Sequence, residues 1–225
     1  MAGNTIDTKE REGWDPSEHY KNTAIAEEYD RVRFKSVAGR VFNRLEKEAI
    51  KRSFAGLPAN SLILDAPSGT GRLAEELLEM GHRVIGVDIS PHMLEVAKKK
   101  LARFGDRYET RVADVKTLDP KELQVDAVLC ARVLMHFPLD EAGEFLKSVS
   151  RLTSGPVVFN HSVVTTYHRG RRVVKKALRN QNSAGYSLAP GDVSTLISAA
   201  GLKEQSRTPV LPGVSEAVFF TCNKA

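Results

Sequence analysis

The sequence has few cysteines and no long apolar run. Its 225 residues include two cysteines, Cys130 and Cys222, which lie far apart and match no metal-ligand spacing. We expect both thiols to be reduced and buried, as in a cytoplasmic protein. No stretch approaches the roughly 20 apolar residues that cross a bilayer. Residues 1–20 also lack the apolar segment of a secretory signal, so the sequence predicts a soluble cytoplasmic protein without a disulfide framework.

Acidic residues are absent from one long segment. No Asp or Glu occurs from Phe145 through Gly191. The same segment holds eight basic residues, namely Lys147, Arg151, Arg169, Arg171, Arg172, Lys175, Lys176 and Arg179. Because the net charge of the whole chain is only +5, the remainder is slightly acidic. Two interpretations stay open: the segment binds an anionic partner, or it is a solvated helix face.

The composition predicts one globular domain. Hydrophobic residues make up 41% and charged residues 27%, and the length suits one core rather than two. We expect a mobile N-terminus at 1–20 and a helical segment at 21–58, which Gly39 divides into two pieces. The main domain then covers 59–225 and contains the basic insertion at 165–189.

Short apolar strands alternate with helices along the main domain. The predicted strands are 61–65, 83–87, 108–113, 125–131 and 156–164, followed by an antiparallel hairpin at 203–210 and 216–222. The predicted helices are 72–80, a helix capped by Ser90 with Pro91 at its first position, 140–152 and 191–200. This alternation is typical of a doubly wound, mostly parallel sheet that is covered on both faces.

A glycine-rich loop follows the first strand. Residues 63–72 read ILDAPSGTGR, and Gly69 and Gly71 let a ligand approach the main-chain N–H groups closely. Ligands of such sheets bind beyond the carboxyl ends of the strands, where this loop lies. With Ala74 the loop also fits the pattern G-x-G-x-x-G/A, so a nicotinamide dinucleotide is one candidate ligand.

Three carboxylates favour a different ligand. Asp65, Asp88 and Asp114 each end one of the first three strands. A carboxylate beside the loop repels a pyrophosphate and attracts a cation, whereas Asp88 is placed to bind a ribose diol. A role as a helix cap explains any one of the three acids, but explains all three together poorly. The set indicates a positively charged adenosyl compound.

The sequence resembles the class I S-adenosylmethionine-dependent methyltransferases, which have a Rossmann-like fold. Asp65–Arg72 resembles their first motif and Val84–Leu94 their second, while Val112–Val115 and Asp126–Leu129 resemble the third and fourth. The similarity extends over roughly 60–165. It implies a seven-stranded sheet, an N-terminal helical lid and S-adenosylmethionine as the methyl donor, with S-adenosylhomocysteine (SAH) as the product.

The resemblance implies a donor site around the glycine loop. This loop would contact the methionine moiety of S-adenosylmethionine. The expected donor-binding residues are Tyr29, Arg40, Asp65, Ala66, Pro67, Ser68, Gly69, Thr70, Gly71, Asp88, Ile89, Met93, Asp114, Val115, Ala131 and Arg132. Ser68 departs from the family, because the loop commonly has Cys at this position. A serine is small and offers a hydroxyl, so we expect donor binding to be retained.

Several of these residues have an expected role. Asp88 would hold the ribose, Ile89 and Met93 would flank the adenine, and Asp114 with Val115 would meet its edge. In related enzymes an N-terminal helix closes over the donor, and Tyr29 and Arg40 are the candidates from this segment for its amino-acid end. Core packing is an equal alternative for Tyr29.

Methyl transfer needs few catalytic groups. The reaction is an in-line displacement in which the leaving thioether needs no acid, so alignment is the main contribution of the protein. His136 lies after the fourth strand and could remove a proton from the acceptor. Its alternative role is structural, as a ring packed over the donor or a cap of the next helix. His161, beside Asn160 near the end of the fifth strand, is the second candidate base.

Absent motifs narrow the acceptor. No Asn/Asp-Pro-Pro-aromatic tetrapeptide follows the fourth strand, which disfavours methylation of the amino groups of adenine or glutamine. Cys130 is preceded by Leu129 rather than Pro, which disfavours methylation of cytosine at C5. Arsenic methylation needs several thiolates, and this chain has only two cysteines, in separate strands. We therefore expect a small-molecule acceptor. In this fold the 165–189 segment covers the acceptor, and its charge predicts a phosphate- or carboxylate-bearing substrate, or an anionic membrane surface. Sparse aromatic residues there, Tyr167 and Tyr186, disfavour nucleic acid.

Three alternatives stay open. The chain could methylate a phospholipid or another phosphate-bearing acceptor at a membrane surface. It could also bind an adenosyl ligand without catalysis, as a sensor or subunit partner. A nicotinamide-dependent oxidoreductase is the remaining alternative, because of the glycine pattern. No metal site is expected.

Overall fold

The computed structural model describes residues 34–164, 167 and 186–225. Its helices are α1 (Val37–Phe54), α2 (Ala74–Glu79), α3 (Pro91–Leu101), α4 (Leu139–Ser150) and α5 (Pro190–Ala199). Its strands are β1 (Leu62–Asp65), β2 (Arg83–Asp88), β3 (Tyr108–Val112), β4 (Ala127–Cys130), β5 (Val157–Ser162), β6 (Leu202–Pro209) and β7 (Ala217–Lys224). The predicted mobile N-terminus and most of the basic insertion lie outside the described residues.

The seven strands form one sheet in the order β3-β2-β1-β4-β5-β7-β6. Strands β1 to β5 pair in parallel, whereas β7 runs antiparallel to both β5 and β6. The strand order reverses between β1 and β4, and in open α/β sheets a ligand crevice forms at this point. The predicted seven-stranded, mostly parallel sheet with a C-terminal antiparallel hairpin is confirmed.

Local signals in the sequence define the helix ends near the crevice. The Ser90 hydroxyl accepts a hydrogen bond from the N–H of Met93 at 3.3 Å, and Pro91 is the first residue of α3. Gly81 follows α2 with a φ of 92°, a left-handed conformation that glycine adopts without strain. The Ser90 cap thus fixes where α3 begins at the edge of the crevice, whereas Gly81 ends α2 before the start of β2.

The expected break at Gly39 is wrong. Helix α1 begins at Val37, and Gly39 lies inside its first turn. The Ser36 hydroxyl accepts a hydrogen bond from the N–H of Gly39 at 3.0 Å, so this glycine is part of the helix cap. Cap formation satisfies a main-chain N–H that a helix start otherwise leaves unpaired, which explains why the glycine does not interrupt the helix.

The sheet is buried on both faces. One core lies between the sheet and helices α4 and α5, and contains Cys130, Leu146 and Val193. The other lies against α1 and α2, and contains Ile50 and Leu77. Because each central strand contributes side chains to both cores, the strands read as nearly continuous apolar runs in the sequence.

The predicted burial of the two cysteine thiols is confirmed. Cys130 and Cys222 are buried and carry free thiols. Among the described helices, none has the length and apolar character needed to span a membrane.

Gly86 allows a close approach between β2, β3 and the loop after β1. A Cβ atom on Gly86 would lie 2.5 Å from the hydroxyl oxygen of Tyr108 and 2.8 Å from the Oγ of Ser68. Both neighbours are largely buried, so neither can move away freely. The absence of a side chain at this position therefore lets Tyr108 reach the glycine loop.

We predict that Gly86→Ala lowers the free energy of unfolding by about 1–3 kcal/mol, because the methyl group overpacks this contact. Urea denaturation measures the change. Gly191→Ala is the matched control, because nothing lies within 4 Å of a Cβ there. Equal stability of the two variants, within about 0.5 kcal/mol, would contradict the proposed contact.

Candidate functional site

A cavity of about 390 Å³ opens at the carboxyl ends of the parallel strands. Most of the predicted donor-binding residues line it: Asp65, Pro67, Ser68, Gly69, Thr70, Asp88, Ile89, Met93, Asp114, Val115, Ala131 and Arg132. The predicted base His136 lines it as well. The further lining residues are Arg72, Leu73, Val87, Ala113, Lys116, Val133, Phe137 and Phe145.

Asp88 connects the end of β2 to the glycine loop. Its Oδ2 accepts a hydrogen bond from the N–H of Gly69 at 2.8 Å, and its Oδ1 accepts one from the N–H of Ser90 at 2.9 Å. Gly69 has a φ of 54°, which turns its N–H toward this carboxylate. Burial raises the pKa of Asp88, while these main-chain hydrogen bonds oppose the rise. The carboxylate is thus held at the edge of the cavity by two main-chain donors.

Gly71 and Ala66 do not line the cavity. A Cβ on Gly71 would lie 2.7 Å from a methyl group of Leu101 and 3.0 Å from the Cβ of Ala97, and its φ is 68°. This glycine therefore permits the close packing of the loop against α3. Ala66 is fully buried in the core.

Ser68 joins a buried chain of polar groups beneath the loop. Its hydroxyl donates a hydrogen bond to Oδ2 of Asp65 at 2.8 Å, and its Oγ lies 3.3 Å from the hydroxyl oxygen of Tyr108. The departure from the family's cysteine thus supplies a hydroxyl donor to a buried carboxylate.

Asp65 is held in an environment that favours its protonated form. Burial raises its pKa to about 7, the Ser68 hydrogen bond and the charge of Arg72 lower it, and the neighbouring charge of Asp88 raises it. The same burial raises the pKa of the Tyr108 hydroxyl. A cation bound beside Asp65 and Asp88 would favour the ionised form of both groups.

Asp114 lines the cavity and also caps a short 3-10 helix at Val115–Thr117. Its Oδ1 accepts a hydrogen bond from the N–H of Lys116 at 2.9 Å. Asp88 likewise receives main-chain hydrogen bonds while it faces the cavity. For these two acids, capping and cavity lining are therefore compatible rather than alternative roles.

Asp126, in the fourth resembling motif, has a structural role. Its Oδ2 accepts a hydrogen bond from the N–H of Leu62 at 2.7 Å, at the start of β1. It does not line the cavity.

The two candidate bases lie in different places. His136 ends a 3-10 helix at Leu134–His136 and lines the cavity. His161 is 1% exposed and does not line the cavity, and its Nδ1 lies 3.2 Å from the carbonyl oxygen of Ser162. Burial lowers the pKa of His161, which favours a neutral core imidazole. His136 is therefore the better placed of the two.

Of the two N-terminal candidates, only Arg40 lies within the described residues, and it does not line the cavity. The Nη1 of Arg40 donates a hydrogen bond to the carbonyl oxygen of Lys35 at 2.7 Å, and Arg40 lines a separate shallow cleft. Tyr29 lies outside the described residues. Within the described ranges, no cluster of His, Cys, Asp or Glu side chains could hold a metal ion.

Sequence reasoning missed an ionic cluster at the cavity. Glu46 of α1 lies 2.6 Å from Nη2 of Arg72 and 3.1 Å from Nη1 of Arg132, both of which line the cavity. The available signal was an acidic residue within the apolar stripe of α1, beside Ala49 and Ile50. A charged residue on a buried face needs a partner of opposite charge.

Known proteins match this chain in sequence and in fold. Residues 63–154 match the protein family described as "Methyltransferase domain". The chain is 38% identical over 91 residues to the ubiquinone biosynthesis O-methyltransferase of Methylocella silvestris, which covers 40% of this chain and 35% of that protein. It is 29% identical over 106 residues to the magnesium-protoporphyrin O-methyltransferase of Rhodobacter capsulatus. This match covers 47% of this chain and 46% of that protein. The matches thus span less than half the length of these relatives.

The fold is similar to that of a solved methyltransferase. The crystal structure of magnesium protoporphyrin IX methyltransferase from Synechocystis PCC 6803 with bound SAH has a TM-score of 0.74 at 15% sequence identity. The superposition covers 93% of this chain and 98% of that one. Residues 63–154 are therefore similar to a methyltransferase domain, and the chain shares the fold of that methyltransferase.

Proposed function

We propose that this protein transfers a methyl group from S-adenosylmethionine to a small-molecule acceptor. The main support for this proposal is that Asp65, Asp88 and Asp114 line the same cavity as the glycine loop. Three acids around main-chain N–H groups suit a cationic nucleoside. They do not suit the pyrophosphate of a nicotinamide dinucleotide, which is the rival ligand of the same glycine pattern.

The residues of the cavity fit the parts of this donor. In the proposal, Asp88 binds the ribose hydroxyls, and Ile89 and Met93 flank the adenine. Asp114 and Val115 meet the adenine edge. Ile89 is 39% exposed and Met93 only 3%, so the two differ in how much apolar surface they offer to a bound ring.

The glycine loop and the end of β4 hold the amino-acid part of the donor. Pro67, Ser68, Gly69 and Thr70 line the cavity beside Asp65 and are placed for this contact. Ala131 and Arg132, which follow β4, line the same cavity. When bound, the donor supplies an electrophilic methyl group on a positively charged sulfur.

The protein contributes alignment and, for a protonated acceptor, a base. An in-line displacement gains roughly 7–11 kcal/mol from correct positioning of the two reactants. We propose that His136 removes the acceptor proton, because it lines the cavity and an imidazole titrates near neutral pH. The names of the relatives favour an acceptor oxygen, since both act as O-methyltransferases.

The acceptor of this proposal is a small molecule that carries a phosphate or a carboxylate. Its support is the acid-free segment from Phe145 through Gly191 with its eight basic residues. A test of the acceptor is to incubate cell extract with labelled donor and identify the products by mass. A labelled phospholipid would instead support the membrane-surface alternative, and no labelled product together with tight donor binding would support a non-catalytic binder.

Replacement of Asp88 tests the donor site. We predict that Asp88→Ala weakens S-adenosylmethionine binding at least about tenfold, because it removes a charge-assisted contact to the ribose and releases the loop at Gly69. Isothermal titration calorimetry with S-adenosylmethionine, SAH and NAD measures the effect and compares the rival ligands.

Asp119→Ala is the matched control, because this exposed carboxylate also accepts a main-chain hydrogen bond, from Lys121, but lies outside the cavity. The control should bind the donor as the unaltered protein does. Donor affinity that is unchanged in Asp88→Ala would contradict the proposed site.

The raised pKa of Asp65 leads to a pH-dependent cost in stability. Between the ordinary carboxyl pKa of about 3.9 and the folded value of about 7, the folded protein holds a proton that the unfolded chain releases. The contribution of this group to the free energy of unfolding therefore falls as pH rises through that window. Ionised Asp65 is unfavourable for folding above this window but attractive to a cationic ligand.

We predict that Asp65→Asn raises the melting temperature at pH 8 by about 2–4 °C or more, which corresponds to about 1 kcal/mol for a chain of this size. The gain should shrink at pH 5, where Asp65 is already protonated, and donor affinity should fall. Thermal denaturation at the two pH values and calorimetry measure these effects. Asp106→Asn, at an exposed site, is the control. If Asp65→Asn raised the melting temperature less at pH 8 than at pH 5, the raised pKa of Asp65 would be refuted.

A further inference from the structure

Glu46 is a fully buried carboxylate that belongs to the N-terminal helix but points toward the cavity wall. It is 0% exposed, and each of its two oxygens pairs with a different arginine. Oε2 lies 2.6 Å from Nη2 of Arg72, and Oε1 lies 3.1 Å from Nη1 of Arg132. These arginines follow β1 and β4, so one carboxylate connects α1 to the two strand ends that border the crevice.

Both arginines are held in place by further contacts. Nη1 of Arg72 donates a hydrogen bond to Oδ1 of Asn43 at 2.6 Å, also on α1. The main-chain N–H of Arg132 donates one to Oδ1 of Asn160 on β5 at 2.7 Å. Asn43 and Glu46 thus hold the guanidinium group of Arg72, whereas Asn160 holds the main chain of Arg132 and Glu46 holds its guanidinium group.

Arg132 also has two features that point to a ligand. Its φ of 65° is a left-handed conformation, which is unfavourable for a residue with a side chain and is concentrated at functional sites. Its Nε is buried and has no hydrogen-bond partner within residues 34–164, 167 and 186–225. A buried guanidinium donor without a partner costs free energy unless a ligand satisfies it.

The charges in this part of the cavity suit an amino acid. Arg72 and Arg132 face one carboxylate, Glu46, so one positive charge is left over at their end of the wall. Asp65 lines the same cavity as these two arginines. A cationic pair beside an acid is complementary to a zwitterion, whose carboxylate and ammonium groups carry opposite charges.

Stability alone does not require the cluster. Helix α1 is already docked by the buried side chains of Ala49, Ile50 and Phe54. Lys47 of the same helix pairs with Glu76 of α2 at 2.6 Å. A buried ion cluster offers little net stability over apolar side chains, because both charges lose their hydration. A role at the cavity therefore explains Glu46 better than a role in packing.

We propose that Glu46 is a positioning residue that presents the guanidinium groups of Arg72 and Arg132 to the carboxylate of the bound donor. The proposal rests on the proposed function, because it concerns the same donor. It assigns a role at the site to helix α1, although Glu46 itself does not line the cavity. A substitution that moves the carboxylate of Glu46 should weaken the binding of only those ligands that themselves carry a carboxylate.

The test compares two ligands that differ by one group. S-adenosylmethionine and decarboxylated S-adenosylmethionine are titrated calorimetrically into the unaltered protein, Glu46→Asp and Glu46→Gln. Glu46→Asp is the main variant, because it keeps the negative charge but is one methylene shorter and cannot reach both arginines. Glu48→Gln is the matched control, because Glu48 lies on the same helix with its side chain 51% exposed.

We expect Glu46→Asp to weaken S-adenosylmethionine at least about tenfold and the decarboxylated ligand by less than about twofold. Arg132→Lys should give the same selective loss, because an ammonium group lacks the planar fork that binds a carboxylate. Glu48→Gln should bind both ligands as the unaltered protein does. Melting curves of all variants show that the comparison is made on folded protein.

Three outcomes would overturn the proposal. Equal weakening of the two ligands in Glu46→Asp would show that Glu46 only supports the fold. Unchanged affinity for both would show that the arginines keep their positions without it. Failure of the unaltered protein to bind S-adenosylmethionine would refute the proposed function itself, and with it this inference, and is distinguishable because it appears before any substitution is made.

Discussion

One hydrogen bond, from the main-chain N–H of Gly69 to the carboxylate of Asp88, holds the site together. It joins the loop after β1 to the end of β2, at 2.8 Å. The other oxygen of Asp88 accepts the N–H of Ser90, whose hydroxyl in turn caps α3. A single carboxylate thus fixes the loop, the start of a helix and its own orientation at the cavity. Without it the glycine loop would lose the hydrogen bond that joins Gly69 to the end of β2.

The cavity is built from charges that folding alone does not favour. Asp65 and Asp88 are both buried close to each other, and burial raises the pKa of each. The Glu46 cluster adds two guanidinium groups at the wall of the same cavity. Such groups are unfavourable in a ligand-free core and favourable beside a ligand of matching charge. The distribution of buried charge is therefore a better guide to function here than the apolar packing.

Much of the fold and part of the site could be predicted from the sequence. The alternation of apolar strands with helices predicted the sheet, and Ser90 and Gly81 predicted helix ends, because these signals are local. The three strand-end acids could be placed together because parallel strands bring their carboxyl ends to one edge. The glycine loop with Asp65 is recognisable because its residues are contiguous in the sequence.

The remaining features depend on long-range contacts that no local pattern contains. Glu46 and Arg132 are 86 residues apart in the sequence, so their pairing is visible only in the folded structure. His161 also lies near the end of a parallel strand, yet its ring is buried in the core, because successive side chains of a strand point to opposite faces of the sheet. Gly39 resembled a helix break, but the neighbouring Ser36 made it part of a cap.

A crystal structure of the protein with S-adenosylhomocysteine tests the central claim most directly. We expect the ribose hydroxyls to lie within hydrogen-bond distance of Asp88 and the amino-acid carboxylate to lie against Arg132 and Arg72. A ligand bound outside this cavity, or bound in it with the ribose away from Asp88, would refute the proposed donor site.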